Sequence, residues 1–206
     1  MHGERQTILA LFAQTEVFIY IFVEIMLNLQ PVQRVILKIA NWRDKTIFIL
    51  LFGSFSIMGT ALGIPLKDGI IANIRDIAPM LAGLTAGPLV GLCVGLIGAA
   101  HRLTMGGITD VSCSLATVIS GLLSGYVNHL NKGKMIGILP AMVFAMLMEL
   151  LHGAITLLIA RPFADAWEGT KIAIPAMIIA SSLGVAIGVI IISKDIRDHE
   201  IHQKLK

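Results

Sequence analysis

Charged side chains are scarce in this sequence. Asp, Glu, Lys and Arg make up 14% of its 206 residues, whereas apolar residues make up 56%, and ordinary soluble domains carry about 25% charged residues. So few charges cannot cover a water-facing surface. The mean hydropathy is +0.84, and several apolar runs reach the ~20 residues that a helix needs to cross a bilayer. The composition therefore predicts an integral membrane protein.

Other absences narrow the class further. Only two cysteines are present, Cys93 and Cys113, which excludes a disulfide scaffold. Apolar and polar residues do not alternate with a period of two, which excludes an outer-membrane barrel. The sequence has no CxxC, P-loop, HExxH or nucleophile-elbow motif, so it predicts no catalytic residues, metal site or cofactor. The net charge of +3 comes from short basic clusters between apolar runs. That pattern is typical of the loops of a protein embedded in membrane lipid and predicts no nucleic-acid partner.

Five membrane helices are clear, at about residues 6 to 29, 46 to 65, 111 to 130, 135 to 160 and 171 to 193. Residues 66 to 110 allow two interpretations. One long helix there gives six crossings. A break at Gly87-Pro88 gives two short helices, about 69 to 85 and 88 to 103, and seven crossings, because Gly-Pro is a turn signal and Pro suits a helix start.

We favour seven crossings with a cytoplasmic C-terminus. This topology places most Lys and Arg residues on the cytoplasmic side, as membrane proteins tend to do. Its short helices span only about 24 Å each, which suits a water-filled pocket open to the outside. Glycines spaced four apart along several helices predict close helix packing, or alternatively a dimer interface.

Ionisable residues inside a membrane are costly, and each is a functional candidate. Glu16 and Glu24 lie in the first predicted helix, where we expect a structural role or contact with the interface. Glu149 and His152 are three residues apart on one helix face, a spacing that predicts direct contact. Two such residues are too few for a metal site. A polar contact and a proton-sensitive signalling role both remain open.

Arg75 and Arg102 lie at the outer ends of the two short helices in the seven-crossing topology. Arg75 follows Asn73, and Arg102 follows His101. Arginine binds a carboxylate through paired donors, and the amides at the start of the next helix also favour an anion. The polar residues at that start, in the run from Thr109 to Ser114, complete the predicted anion site. The candidate ligand-binding residues are Arg75, Arg102, Cys113, Asn73, His101, Ser112 and Thr109. The alternative is that Arg75 pairs with Asp76 or Asp110 while Arg102 extends to the headgroups.

An ordered set of motifs gives the sequence a family resemblance. They are Asn73-Ile74-Arg75, Ala82-Gly83-Leu84-Thr85-Ala86-Gly87-Pro88, Gly91-Leu92-Cys93-Val94-Gly95, His101-Arg102, Met105-Gly106-Gly107 and Gly121-Leu122-Leu123-Ser124-Gly125. Through about residues 46 to 193, the chain resembles the LytS-YhcK type membrane receptor domain. Such domains precede a cytoplasmic output module, either a histidine kinase that works with a LytTR-type response regulator or a diguanylate cyclase.

Within that family the chain is most similar to the pyruvate-responsive branch. His101-Arg102, Met105-Gly106-Gly107, Ser112-Cys113 and Ile159-Ala160-Arg161-Pro162 carry the similarity. The resemblance implies that Arg75, Arg102 and Cys113 hold the carboxylate and keto ends of the ligand. The branch has a serine where this chain has Ala116, which leaves the identity of the ligand open.

The family also resembles the substrate-binding subunits of energy-coupling-factor transporters. That likeness implies an all-α bundle of six transmembrane helices, which one extra transmembrane helix precedes at the N-terminus. We divide the chain into a transmembrane helix and cytoplasmic loop (1–45), a receptor domain (46–193) and the start of a signalling helix (194–206).

The expected function is the sensor domain of a two-component histidine kinase, not itself an enzyme, which binds an external carboxylate. A homodimer follows from a kinase parent. The alternatives are a stand-alone substrate-binding or transporter-like subunit and a sensor of another anion or of the cell envelope.

Overall fold

The computed structural model describes residues 17–204, and within them the chain forms eight α-helices and one small β-hairpin. The helices are α1 (Val17–Leu27), α2 (Gln30–Ile36), α3 (Trp42–Ala61), α4 (Ile77–Ala86), α5 (Pro88–Met105), α6 (Asp110–Leu130), α7 (Ile138–Ile159) and α8 (Phe163–Lys204). Strands β1 (Ile64–Pro65) and β2 (Ile71–Ala72) pair antiparallel. The all-α prediction is confirmed. Glu16 and the beginning of the first predicted helix lie outside the described residues.

Four helices, α3, α6, α7 and α8, are long and apolar enough to cross a membrane. Helices α1, α4 and α5 are apolar but shorter. Helix α7 buries only 28% of its most apolar window against the rest of the chain. Its outward leucines, isoleucines and methionines therefore suit contact with lipid tails.

The chain reverses direction at Gly87, so the break predicted between α4 and α5 is present. Gly87 has a φ of 93°, which glycine adopts without the steric cost of a side chain, and Pro88 begins α5. Asn128 on α6 donates a 2.6 Å hydrogen bond to the carbonyl of Leu84. The end of α4 is thereby fastened to α6.

Helices α5 and α6 pack backbone to backbone through glycine. A Cβ atom placed on Gly91 would lie 2.1 Å from the carbonyl oxygen of Gly121. The reciprocal Cβ on Gly121 would lie 2.2 Å from the oxygen of Gly91. This contact brings the two helices closer than side chains would allow, as small residues do in membrane bundles.

We expect Gly91→Ala to destabilise the chain by about 1–3 kcal/mol or more, because an added methyl group must displace the backbone of α6. Gly137→Ala is the matched control, since its Cβ would lie 3.6 Å from Pro140, an ordinary contact. Thermal unfolding of both variants in detergent measures the difference. Equal melting temperatures for the two variants would contradict the close α5–α6 contact.

Three segments differ from the sequence prediction. The predicted cytoplasmic loop at 30–45 contains α2, which begins with Pro31 in its first turn. The predicted helix from about 69 begins only at Ile77, because the preceding residues form the β-hairpin. Helix α8 is continuous from Phe163 to Lys204, much longer than the predicted span of 171 to 193, and Pro175 stands inside it.

The bundle has two ends with different contents. The site end holds the β-hairpin, the start of α4, the end of α5 and the start of α6. The opposite end, here the α8 end, holds the turn at Gly87, the α6–α7 connection at 131–137 and the last turns of α8. Ser114 on α6 bonds the carbonyl of Ala99 at 3.1 Å, and Ser181 on α8 bonds Glu149 on α7 at 2.6 Å. Because the chain reverses direction between α4 and α5, Arg75 before α4 and Arg102 near the end of α5 lie at the same end of the bundle.

Candidate functional site

Arg102 fastens two loops over the site end. Its Nη1 donates to the carbonyl of Gly106 at 2.6 Å, and its Nη2 donates to the carbonyl of Gly69 at 3.0 Å and to the hydroxyl of Thr109 at 3.1 Å. We call these two loops, residues 62–76 and 106–109, the cap. Arg102 is fully buried, so it does not extend to the headgroups.

Arg75 lies at the start of α4 and is also fully buried. Its Nε donates to the Thr117 hydroxyl at 2.7 Å and to Asp76 Oδ1 at 3.3 Å. Its Nη2 donates to the carbonyl of Cys113 at 3.4 Å. The remaining nitrogen, Nη1, is buried without a hydrogen-bond partner among the described residues. An unpaired guanidinium donor in the interior is costly, and a bound acceptor would satisfy it.

A chain of buried polar groups leads from Arg75 to α8. The hydroxyl of Thr117 lies 2.6 Å from Asp76 Oδ1, and His152 Nδ1 lies 3.0 Å from Asp76 Oδ2. The same imidazole nitrogen is 3.5 Å from Glu149 Oε2, and Ser181 donates to Glu149 Oε1 at 2.6 Å. We call the five residues beyond Arg75 the polar relay: Asp76, Thr117, His152, Glu149 and Ser181. It joins helices α4, α6, α7 and α8 through side chains that are all buried.

A small cavity adjoins the relay below the cap. It encloses about 10 Å³, which is room for about one water molecule. Its polar lining comes from Thr109, Cys113, His152, Thr156 and Thr170. A small carboxylate needs more space. A molecule of that size could enter only if the cap or the surrounding helices moved.

The predicted site residues divide into groups by position. Thr109 and Cys113 line the cavity, and Arg75 contacts the backbone of Cys113. Asn73 accepts from the backbone N–H of Arg75 at 3.1 Å and so shapes the turn before α4. Arg102, Ser112 and His101, like Arg75 and Asn73, are not part of the cavity lining. Ser112 bonds the carbonyl of Thr109, and Nδ1 of the half-buried His101 has no hydrogen-bond partner among the described residues.

Asp76, Thr117 and His152 contact the site, although sequence reasoning did not place them in it. The predicted Glu149–His152 contact and the alternative Arg75–Asp76 pair are both present. The contact between Asp76 and His152 links these two pairs. It forms because α7 approaches the start of α4, although the two residues are 76 positions apart in the sequence. The immediate succession of Arg75 and Asp76 was the one available indication in the sequence.

Asp76, Glu149 and His152 offer three ligand atoms within 4.8 Å of one another. However, Arg75 Nε donates to the same Asp76 carboxylate at 3.3 Å. Its fixed positive charge would repel a cation at that position. We therefore assign this cluster to the relay and not to a metal site.

The model of the 5TMR-LYT family, described as the 5TMR of 5TMR-LYT, matches residues 30–195. Sensor histidine kinase BtsS of Escherichia coli K12 is 33% identical over 162 residues, covering 76% of this chain and 28% of its own length. Sensor protein LytS of Bacillus subtilis is 33% identical over 178 residues, with 78% and 30% coverage. LytS of Staphylococcus epidermidis RP62A is 28% identical over 205 residues, with 85% and 33% coverage.

The chain thus spans about a third of the length of the curated relatives that it matches. Those relatives are named as sensor proteins, and one of the names specifies a histidine kinase. No solved structure matches the chain.

Proposed function

Because this chain belongs to the 5TMR-LYT family and is a LytS-type multi-transmembrane sensor domain, we propose that it binds a small carboxylate, pyruvate or a related 2-oxo acid. The binding site is the closed cavity beside Arg75, Cys113 and His152. The single observation that carries this proposal is the buried Nη1 of Arg75, which lacks a hydrogen-bond partner among the described residues. A carboxylate oxygen is the acceptor that best matches a guanidinium.

The charges beside Arg75 set a condition on binding. Asp76 already pairs with Arg75 and with His152, so the site gains attraction for an anion only from the donors that remain free. Opening the cap would release the Nη1 and Nη2 donors of Arg102 from Gly106 and Gly69. We propose that the carboxylate takes their place, while the keto group lies toward the Cys113 thiol.

The proposed signal then follows the polar relay to α8. A ligand at Arg75 shifts the balance of hydrogen bonds at Asp76 and His152, and Glu149 passes that shift to Ser181 on α8. Differential affinity for the open and closed forms is what drives such a population shift.

We further propose the orientation and partners of the parent protein. The site end faces outward from a bacterial inner membrane, and residues 194–206 begin a cytoplasmic signalling helix after a receptor domain at 46–193. The parent is a homodimeric histidine kinase that acts on a LytTR-type response regulator. The name of one relative, sensor histidine kinase BtsS, supports the kinase parent, and the length of α8 supports a helix that continues beyond the membrane.

Thermal stability of the purified chain in detergent, measured with pyruvate, lactate, acetate and inorganic phosphate, tests the ligand. We expect pyruvate to stabilise the chain by about 2.7 kcal/mol at 100 times its dissociation constant, and lactate and acetate to do less. Cys113→Ala should weaken this effect. Cys93→Ala is the matched control, since Cys93 is half-buried on α5 away from the cavity lining.

Equal stabilisation by phosphate would replace the 2-oxo acid with another anion, and no stabilisation by any acid would contradict the proposal. Uptake of labelled pyruvate into vesicles that contain the chain alone would instead indicate a transporter.

A further inference from the structure

A second and larger cavity lies at the α8 end, far from the candidate carboxylate site. It encloses about 600 Å³. Four parts of the chain line it: the segment from α2 to α3, the end of α4, the α6–α7 connection and the last turns of α8. The lining residues are Ile36, Leu37, Lys38, Ile39, Thr85, Gly133, Lys134, Met135, Ser193, Ile196 and Glu200.

The cavity lies at the level of the lipid headgroups. Helix α8 has 42 residues and so is about 63 Å long, roughly twice the thickness of the hydrocarbon core. Its apolar run ends near Ser193, and Lys194, Asp195, Arg197 and Asp198 follow. The cavity wall formed by Ser193, Ile196 and Glu200 therefore lies where the helix leaves the hydrocarbon.

The polar groups of the cavity are incompletely paired. Thr85 is buried, and its hydroxyl has no hydrogen-bond partner among the described residues. Within the described part of the chain, Lys38 donates one hydrogen bond from Nζ, to the carbonyl of Thr85, which leaves two of its three donors for a ligand. Burial lowers the pKa of Lys38, and the charge of Lys45 adds to this effect. An anion in the cavity would counter both influences.

The shape of the lining indicates an amphiphile. The apolar side chains of Leu37, Ile39, Met135 and Ile196 line the wall. An apolar groove of about 480 Å³ lies between α6 and α7 and begins at Ile136, the residue after Met135. A lipid whose headgroup lies in the larger cavity could therefore place its acyl chain in this groove, along the outside of the bundle.

We propose that this cavity binds the headgroup of an anionic phospholipid, with its phosphate between Lys38, Lys134 and the Thr85 hydroxyl. The lipid contacts α2, α4 and α8 together. Its occupancy would therefore stabilise one position of the last turns of α8 relative to the turn at Gly87. This site is independent of the proposed carboxylate site.

Native mass spectrometry of the detergent-purified chain, titrated with phosphatidylglycerol or phosphatidylcholine, tests the proposal. We expect tight binding of one phosphatidylglycerol and weaker binding of phosphatidylcholine. Lys134→Gln should weaken phosphatidylglycerol binding roughly fivefold, the effect of one basic residue at an anionic membrane surface. Glu200→Gln should strengthen it, because it removes an opposing charge from the cavity wall.

Lys132→Gln is the matched control, since Lys132 lies two residues before Lys134 in the same connection but is not part of the lining. The proposal is overturned if Lys132→Gln and Lys134→Gln bind phosphatidylglycerol equally, or if both lipids bind the unmodified chain equally. Competition by glycerol phosphate tells whether the cavity binds the phosphate of a lipid or that of a soluble molecule. If it displaces phosphatidylglycerol at equal concentration, the cavity takes a soluble anion and not a lipid.

Discussion

Replacing Arg75 by Gln should abolish stabilisation by pyruvate and lower the free energy of unfolding by about 3–5 kcal/mol. The loss of stability follows because Asp76 would remain as a buried carboxylate without its guanidinium, and breaking one side of a buried pair costs about that much. Asp76 is 2% exposed, so water cannot replace the lost partner. Chemical or thermal unfolding in detergent, with and without pyruvate, measures both effects.

The double variant Arg75→Gln with Asp76→Asn separates folding from binding. It removes both charges at once, so we expect it to regain much of the stability that the single variant loses, since replacing a buried pair with neutral groups costs far less than breaking it. Pyruvate should still fail to stabilise it. A double variant that responds to pyruvate like the unmodified chain would exclude Arg75 as the carboxylate-binding residue.

Replacing Ser181 by Ala should leave pyruvate binding intact but remove the response of α8. Ser181 is the last member of the polar relay and donates the only hydrogen bond that the structure records, within residues 17–204, to Glu149 Oε1. Without that bond, Glu149 is uncoupled from α8, and the unsatisfied carboxylate oxygen costs about 1–3 kcal/mol. Hydrogen–deuterium exchange in the α8 segment after Ser181, compared with and without pyruvate, measures the response.

Ser182→Ala is the matched control, because the buried Ser182 hydroxyl has no hydrogen-bond partner in the described part of the chain. We expect Ser182→Ala to keep the full pyruvate-dependent change in exchange, while Ser181→Ala loses most of it. If both variants keep the change, the relay does not carry the response. If both lose pyruvate stabilisation itself, α8 belongs to the binding site and not to its output.

Local features of the fold were predictable from the sequence because they depend on short-range chemistry. The Gly87-Pro88 pair indicates the reversal directly, since glycine permits the positive φ and proline suits the first turn of α5. The glycine spacing in α5 and α6 likewise predicts close packing. The Glu149–His152 contact requires only the geometry of one helix, and it is present at 3.5 Å.

The arrangement of the site could not be predicted in the same way. The seven-crossing topology predicts that both arginines lie at one end. It does not predict that Arg102 donates its hydrogen bonds to carbonyl groups of the cap. The contact between Asp76 and His152 depends on how α4 and α7 approach each other, and no short motif encodes that distance. Strand β2 stands in the first turn of a predicted helix because it pairs with β1 a few residues earlier, and two residue pairs are too short a pattern to recognise in the sequence.

Equilibrium dialysis with labelled pyruvate tests the central claim most directly, since it measures binding without relying on stability. The purified chain and the Arg75→Gln, Asp76→Asn double variant are dialysed side by side in the same detergent. The account predicts saturable binding of about one pyruvate per chain in the unmodified protein, displaced by excess unlabelled pyruvate, and none in the folded double variant. Equal binding in the two proteins, or no saturable binding in either, would contradict it.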